Sequence, residues 1–386
     1  MGENVNYIFA HEATDSTRIL PIKPLDQAGF EAWKSSVNEN QRRWVEDSGF
    51  SGKEGTLCAA PGEDGGLACW LLGIGDQGSL YQLAPAVAGL PKGEYRLDCD
   101  WPKSERLQAA LGWGLAAYRF DRYKSDDRQS PVLLLDQDIE SDVRSLCAAQ
   151  FLVRDLVNTP TEHMGPAELE NAVVREADRH GAEVAVVAGD DLLTKNFPAV
   201  HAVGRASSRA PRMIELSWGD DQDAPLLALV GKGVCFDTGG LDLKSAAGMQ
   251  LMKKDMGGAA HVLALAGLVM DRKLSLRLKM LIPAVENAVS GNAYRPGDII
   301  STRKGLSVEI GNTDAEGRVI LADALAYACE LEPDLVIDFA TLTGAARIAL
   351  GADLPPLFSN DSAVARDIQA AGEEAEDPLW TLPLYQ

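Results

Sequence analysis

Residues 226–240 read Leu-Leu-Ala-Leu-Val-Gly-Lys-Gly-Val-Cys-Phe-Asp-Thr-Gly-Gly. The first five form an apolar run of strand length, and the glycines that follow punctuate it. Leu226–Val230 is therefore predicted as a buried strand, with Gly231–Gly240 as the loop beyond it. Ligands of open α/β sheets gather outside the carboxyl ends of strands. Lys232 and Asp237 in this loop, and Lys244 soon after it, are accordingly candidate site residues. The glycines permit unusual dihedrals and close backbone approach. On this segment alone, a plain glycine turn with a solvated lysine and aspartate fits equally well.

Working outward, Val184–Val187, Lys279–Pro283 and Leu335–Phe339 are further strand candidates. Glu168–His180, Ala259–Met270 and Val319–Cys329 carry apolar residues at helical spacing. Such alternation predicts a mixed or parallel sheet covered by helices. Upstream, Ile139–Val157 reads as one helix through Val143, Leu146, Ala149, Leu152 and Val153. It is punctuated by Asn158-Thr159-Pro160. Before it, the apolar runs 67–72 and 131–135, the helical pattern Arg106–Arg119 and the polar stretch Asp126–Gln137 suggest a small α/β unit. The predicted architecture is α/β: a small N-terminal α/β domain (1–140), a linker helix (141–165) and a C-terminal mixed-sheet α/β domain (166–386).

Two more loops bear acids. Met249–Ala260 (MQLMKKDMGGAA) leads into an apolar helix and places Asp255 just before two glycines. As a plain structural element Asp255 would be a helix N-cap. Asn312–Arg318 (NTDAEGR) directly precedes another helix. In an extended segment Asp314 and Glu316, two apart, would share one side. Carboxylates facing one point repel unless a cation or proton lies between them. The bland reading is again capping, since acids are favoured near a helix N-terminus. Thr341-Leu342-Thr343-Gly344 forms a fourth loop after Leu335–Phe339. Taken jointly, three acid-bearing loops follow strands of one α/β domain. No HExxH, GxSxG or P-loop string competes with them. Of the five histidines none falls inside these loops, so a site here would be carboxylate-rich.

These segments resemble the signatures of the leucyl aminopeptidase (cytosol aminopeptidase) family. The matching strings are VGKGVCFDTGG, LK at 243–244, MKKDMGGAA, NTDAEGR with the following LADAL, and TLTGA. Weaker likeness extends to Arg154–Pro160 and to AAYRFDRYK at 116–124, so it covers roughly residues 105–386. The resemblance implies that 166–386 is a metallopeptidase catalytic domain with two divalent metal ions, Zn or Mn, with Mg as a further option. It implies that Asp237 and Glu316 bridge the ions, Lys232 and Asp255 complete one site, and Asp314 completes the other. Lys244 and Arg318 fall on catalytic positions, Arg318 holding a bicarbonate. Met252, Asn312, Ala315, Thr341, Leu342 and Gly344 match positions lining the substrate cleft. Two ions about 3.5–4 Å apart activate a bridging hydroxide and polarise the scissile carbonyl. One ion also holds the peptide's free amine, which only a first residue possesses. The implied activity is release of N-terminal, preferably apolar, leucine-like residues from peptides by a homohexamer. The alternative is an inactive or truncated relative with a binding or regulatory role. Cys235 stands where the family often has Thr or Ser, and a thiol near metals suggests oxidation sensitivity. Ser245 replaces a frequent Pro, and Gly311 a bulkier residue. Family members run several tens of residues beyond a Leu-Pro-Leu like that at 382–384, which implies a shortened C-terminal end.

Composition bounds the remaining classes. The 386 residues carry a formal net charge of −21, which disfavours nucleic acid or an anionic membrane as partner. The six cysteines are scattered without a CxxC pair, the pattern of reduced thiols. No secretory h-region, myristoylation pattern or membrane-length apolar run is present. The expectation is a cytoplasmic protein. Gly73–Gly78 fits GxGxxG, with Glu94 near the distance of a ribose-binding acid, but Pro85 and Pro91 interrupt the unit a dinucleotide would need. The tryptophans (Trp33, Trp44, Trp70, Trp101, Trp113, Trp218, Trp380) show no basic interleaving and read as core or interface. His261 reads as a packed or capping histidine, and Lys253-Lys254 as a solvated pair.

Overall fold

The computed structural model describes residues 5, 7–11, 18–75, 80–124 and 130–385. The chain divides into two compact units, residues 1–148 with 343–386, and Ala149–Leu342. The helix Gln137–Asn158 contains the point of passage from the first unit to the second. Part of the GxGxxG-like run, part of the polar stretch 126–137 and most of the N-terminal segment lie outside the described residues.

In the first unit, six strands form one sheet among the described residues: β1 (Phe9–Ala10), β2 (Ile19–Leu25), β3 (Leu57–Pro61), β4 (Leu67–Gly73), β5 (Glu94–Leu97) and β6 (Val132–Leu134). Their order is β1-β6-β5-β2-β4-β3, parallel except for the antiparallel pair β3–β4. Helices Gln27–Ser36 and Glu39–Asp47 start on caps written into the sequence. Asp26 Oδ1 accepts from Gly29 N at 2.6 Å, and Asn38 with Gln41 makes a capping box. Phe30, Trp33, Val45 and Phe50 then pack on Cys58, Ala60, Cys69 and Leu71 of the β3–β4 pair. Helix Lys103–Ala117 buries Trp113 completely, whereas Trp44 and Trp380 are more than half exposed, so the tryptophans do not share one role.

The second unit carries β7 (Glu183–Ala188), β8 (Arg212–Trp218), β9 (Leu226–Gly231), β10 (Gly233–Asp237), β11 (Arg277–Asn287) and β14 (Leu335–Phe339), with the short hairpin β12 (Ile299–Ser301) and β13 (Ser307–Glu309) beside the sheet path. The order is β14-β9-β11-β8-β7, and β10 also pairs with β11. β14, β9, β10 and β11 are parallel, while β8 runs antiparallel to β11 and β7 antiparallel to β8. β9 is nearly all buried because parallel strands are covered on both faces. The core joins Ala228, Val230, Leu281 and Val285 of the strands to Val200, Ile320 and Ala324 of the helices. A last parallel pair, β15 (Pro356–Leu357) and β16 (Trp380–Thr381), belongs to the first unit.

Two expectations need correction. The segment 231–240 is not all loop, because Gly233–Asp237 forms β10. Its ladder with β11 shifts register between Val234 and Phe236, so Cys235 is the extra residue of a bulge. Lys279–Pro283 is only the middle of an eleven-residue strand, and β8, with its charged Arg212 and Glu215, escaped prediction altogether. Both errors arise where pairing partners, rather than local apolar content, hold a segment extended.

Candidate metal centre

The chain passes from β9 to the neighbouring β11, then crosses back over β9 to β14 on its far side. The strand order therefore reverses at β9, and a crevice is expected at its carboxyl end. Lys232 stands there, between β9 and β10. Its N–H donates to Phe339 O at 2.9 Å, and its carbonyl accepts from Ala259 N at 2.9 Å. These bonds stitch the end of β14 and the start of helix Gly257–Asp271 to the strand break. Gly258 makes the approach possible, since a β-carbon there would lie 2.0 Å from Phe339 O.

The Lys232 side chain is 2% exposed. Its Nζ lies 2.7 Å from Asp255 Oδ2 and 2.8 Å from Glu316 Oε1, and donates to Thr341 O at 3.1 Å. Burial by itself would lower the pKa of this ammonium, but the charges of Asp255 and Glu316 outweigh it and raise the value. Thr341 Oγ1 donates to Asp255 Oδ1 at 2.8 Å, while Lys254 Nζ stands 3.6 Å from the same oxygen. Asp255 thus lies within the short helix Met252–Met256 as a buried ion-pair partner, and the capping role is excluded. Lys253 and Lys254 are also more engaged than a solvated pair, because Lys253 Nζ donates to Asn158 O at 2.5 Å.

Asp237 ends β10. Its Oδ1 accepts from Gly239 N and from Asn287 Nδ2, each at 2.8 Å. Its Oδ2 lies 2.9 Å from Lys244 Nζ, which also pairs with Asp314 Oδ1. Burial raises the Asp237 carboxyl. Desolvation pulls Lys244 down, but its bonds to Asp314 and Asp237 prevail and lift its pKa above the ordinary range.

Asp314 and Glu316 do not lie on an extended segment. Thr313–Ala315 is a 3-10 turn, and Glu316 is the first residue of helix Glu316–Glu330. Asn312 caps the turn, its Oδ1 accepting from Asp314 N at 2.7 Å. The two carboxylates are brought near the same loops by this turn and by Thr313, which is fully buried. Thr313 Oγ1 donates to Gly239 O at 2.6 Å, Thr313 N donates to Asp242 Oδ2 at 2.7 Å, and Tyr294 OH donates to Thr313 O at 2.6 Å. Burial pushes the Glu316 carboxyl up to about 7, Lys232 opposing and Asp237 and Asp255 assisting the shift.

Among the described residues Asp237, Asp255 and Glu316 can each offer a carboxylate oxygen within 4.8 Å of the others. With Asp314 there are four carboxylates; Lys232 and Lys244 each bridge two of them, and Lys254 stands at the edge against Asp255. Negative charge is in excess, and Glu316 Oε2 is buried without a hydrogen-bond partner. An orphaned carboxylate oxygen inside an acidic cluster is what a hard or borderline divalent cation would satisfy. The donor set therefore fits a metal.

The other predicted residues lie nearby in the chain but outside this bonded cluster. Met252 and Ala315 are half-buried, and Asn312 and Leu342 are exposed. Arg318 is exposed on helix Glu316–Glu330 and makes no ion pair with a described residue. Gly344 belongs to the other unit, at the start of helix Ala345–Leu350. His261 stacks on Phe339 with centroids 5.9 Å apart, and its Nδ1 lies 2.7 Å from Gly257 O. Asn287, Thr313 and Tyr294 were not foreseen. They are uncharged, and the one available signal was a polar Asn closing a buried strand.

Fold and site together define an α/β protein with a carboxylate- and lysine-lined candidate metal centre at a sheet switch point. The chain belongs to the cytosol aminopeptidase family: it matches the family's catalytic domain over residues 151–386 and the M17 aminopeptidase N-terminal domain over 20–136. This is a family of peptidases. The chain is 40% identical over 336 residues to a probable cytosol aminopeptidase of Chlorobaculum tepidum, covering 78% of this chain and 67% of that one. A relative of the same description from Syntrophotalea carbinolica is 42% identical over 301 residues, covering 74% and 61%. The chain thus spans about three-fifths to two-thirds of the length of these curated relatives. Among solved structures, the cytosol aminopeptidase of Coxiella burnetii superposes with a TM-score of 0.94 at 46% identity, covering 98% of this chain and 82% of that one. The bottromycin maturation enzyme BotP in complex with Mn gives 0.83 at 33% identity, covering 96% and 82%. Among the described residues no helix is long and apolar enough to cross a membrane.

Proposed function

We propose that the chain is a metal-dependent aminopeptidase that releases apolar, leucine-like first residues from peptides. The observation that carries this reading is the buried trio Asp237, Asp255 and Glu316, joined by Lys232, Lys244 and the half-buried Asp314, with Glu316 Oε2 left unpartnered. The names of the relatives supply the peptidase class, and the Mn complex of BotP supports a divalent ion. On this reading residues 166–386 form the catalytic domain, 1–140 the N-terminal domain, and 141–165 the linker.

Asp237 and Glu316 would be shared by two divalent ions, Zn or Mn, with Lys232 and Asp255 completing one site and Asp314 the other. Such a pair supplies Lewis acidity for the scissile carbonyl and lowers the pKa of water. Lys232 must release a proton to serve as a ligand, since an ammonium has no lone pair. Lys244 is held charged by Asp237 and Asp314, and that charge supports a role in which it would donate to the oxygen that gains charge as the carbonyl is attacked. Arg318 is not engaged in an ion pair with a described residue, which suits it to hold a bicarbonate as proton carrier. Met252, Leu342 and the methyl groups of Ala315 and Thr341 offer apolar contact to a first side chain, with Asn312 as a polar partner. A homohexamer in the cytoplasm completes the reading.

The test is hydrolysis of leucine p-nitroanilide with Mn²⁺ or Zn²⁺, repeated with Glu316→Ala. Turnover is expected only with metal, and the variant is expected to lose it. Metal-independent turnover, or an unchanged rate in the variant, would overturn the mechanism.

A further inference from the structure

Asn287 is the last residue of β11, in register with Asp237, the last residue of β10. It is 1% exposed. Its Nδ2 donates to Asp237 Oδ1 at 2.8 Å and to Thr313 O at 3.0 Å. Its own carbonyl accepts from Thr238 N at 3.1 Å and from Thr238 Oγ1 at 2.8 Å. One residue therefore holds the Asp237 carboxylate, the loop that follows it, and the turn that delivers Asp314 and Glu316.

The amide has only one workable orientation. Both of its acceptors, a carboxylate oxygen and a carbonyl oxygen, require hydrogens, and a carboxamide has two N–H bonds. Turning it over would set Oδ1 against two oxygens. As it stands, Asn287 Oδ1 is buried without a partner. A buried acceptor left unpaired is a cost that needs an explanation. Here the two donated bonds provide it. Gly239 N and Asn287 Nδ2 together occupy Asp237 Oδ1, so the carboxylate plane is fixed and Oδ2 is left toward Lys244.

We propose that Asn287 is a positioning residue of the metal centre, locking the Asp237 loop and the Thr313–Glu316 turn at a fixed spacing. The proposal rests on the metal-centre reading above. Asn287 touches neither substrate nor metal on this account, and acts through Asp237 and Thr313. Groups that orient ligands in this way change metal affinity about 10- to 100-fold when removed.

The experiment compares the parent with Asn287→Ala and the near-isosteric Asn287→Asp, which keeps the shape but exchanges the donor for an acceptor. Mn²⁺ affinity is measured by calorimetry, and the visible spectrum of the Co²⁺-loaded chain reports ligand geometry. Circular dichroism and melting of the metal-free chain report the fold. The expected result is a folded Asn287→Ala variant with Mn²⁺ binding weakened about tenfold or more, an altered Co²⁺ spectrum, and kcat lowered at nearly constant KM. Asn287→Asp is expected to alter the Co²⁺ spectrum as well. Spectra and affinities equal to the parent's in both variants would overturn the proposal, and so would loss of the folded state in both, which would mark a purely structural role. A parent that binds no Mn²⁺ or Co²⁺ would instead refute the underlying reading of the site.

Discussion

Lys232 Nζ sits 2.8 Å from Glu316 Oε1 and 2.7 Å from Asp255 Oδ2, with all three side chains almost wholly buried. A lysine at the break of a central strand is thereby the internal counter-ion of two carboxylates from different loops. The desolvation of three charges is tolerable only while they remain together.

The first prediction concerns that lysine. Lys232→Met keeps most of the volume and removes the charge. Asp255 and Glu316 are then buried without their cation. The metal-free variant is expected to lose about 3–5 kcal/mol of stability, as when one partner of a buried pair is removed. Urea denaturation in the presence of a chelator measures it, and a loss below about 1 kcal/mol would contradict the account, being the range of an exposed pair.

The second concerns pH. The Glu316 carboxyl is pushed up to about 7 in the folded, metal-free chain, chiefly by burial. A carboxyl whose folded pKa is raised favours folding at low pH, and this contribution is lost as pH rises through about 7. A metal needs the deprotonated form. Below about 7 binding displaces a proton from Glu316 as well as from Lys232, and above it from Lys232 alone, so affinity for Mn²⁺ should climb with pH throughout and less steeply above about 7, while the metal-free chain should weaken as pH rises to about 7. Calorimetric titrations at a series of pH values, with melting curves in chelator, check both trends. A pH-independent affinity refutes this assignment.

Two glycines make a third, paired prediction. A β-carbon at Gly258 would lie 2.0 Å from Phe339 O and 2.9 Å from Lys232 N, both backbone atoms that cannot swing away. Gly258→Ala should cost about 1–3 kcal/mol or more through overpacking and displace Lys232 from Asp255. Gly311 has nothing within 4 Å of a built β-carbon and no positive φ. Gly311→Ala should stay within about 0.5 kcal/mol of the parent, as surface changes do. Equal losses in the two variants would show that contact at Gly258 is not limiting.

The fourth concerns thiols. Cys235 was flagged as oxidation-sensitive for its closeness to the site, but its side chain is fully buried, and burial pushes its pKa well above the ordinary thiol value. Its Sγ lies 3.7 Å from Gly233 O. A buried, protonated thiol is a poor nucleophile. Dithionitrobenzoate should label exposed Cys329 in the folded chain and leave Cys235 untouched until denaturant is added. Mass spectrometry of the labelled peptides decides between them, and rapid native labelling of Cys235 would refute the prediction.

Much of the fold could be read locally. Leu335–Phe339 was predicted with the bounds it has, and the helices at 139–157, 168–180, 259–270 and 319–329 differ only at their ends. These segments declare themselves through apolar period and punctuation. β10 did not, because Gly-Val-Cys-Phe-Asp is held extended by pairing with β11 across a bulge. Asp314 and Glu316 were singled out on an extended geometry that the structure replaces. They lie on a 3-10 turn and a helix start, and what gathers them is the bonding of Thr313 to Gly239 and Asp242.

By itself, then, the sequence determined the alternation of strands and helices, the kinds of donor available and the kinship of the chain, because each of these resides in short strings. The tertiary structure alone decided that Lys232 faces Asp255 and Glu316, that Lys244 bridges Asp237 and Asp314, and that Asn287 ties the two loops together. Those contacts depend on strand order and register between distant segments. The energies that set them come from burying charge in company, which no local stretch of chain can express.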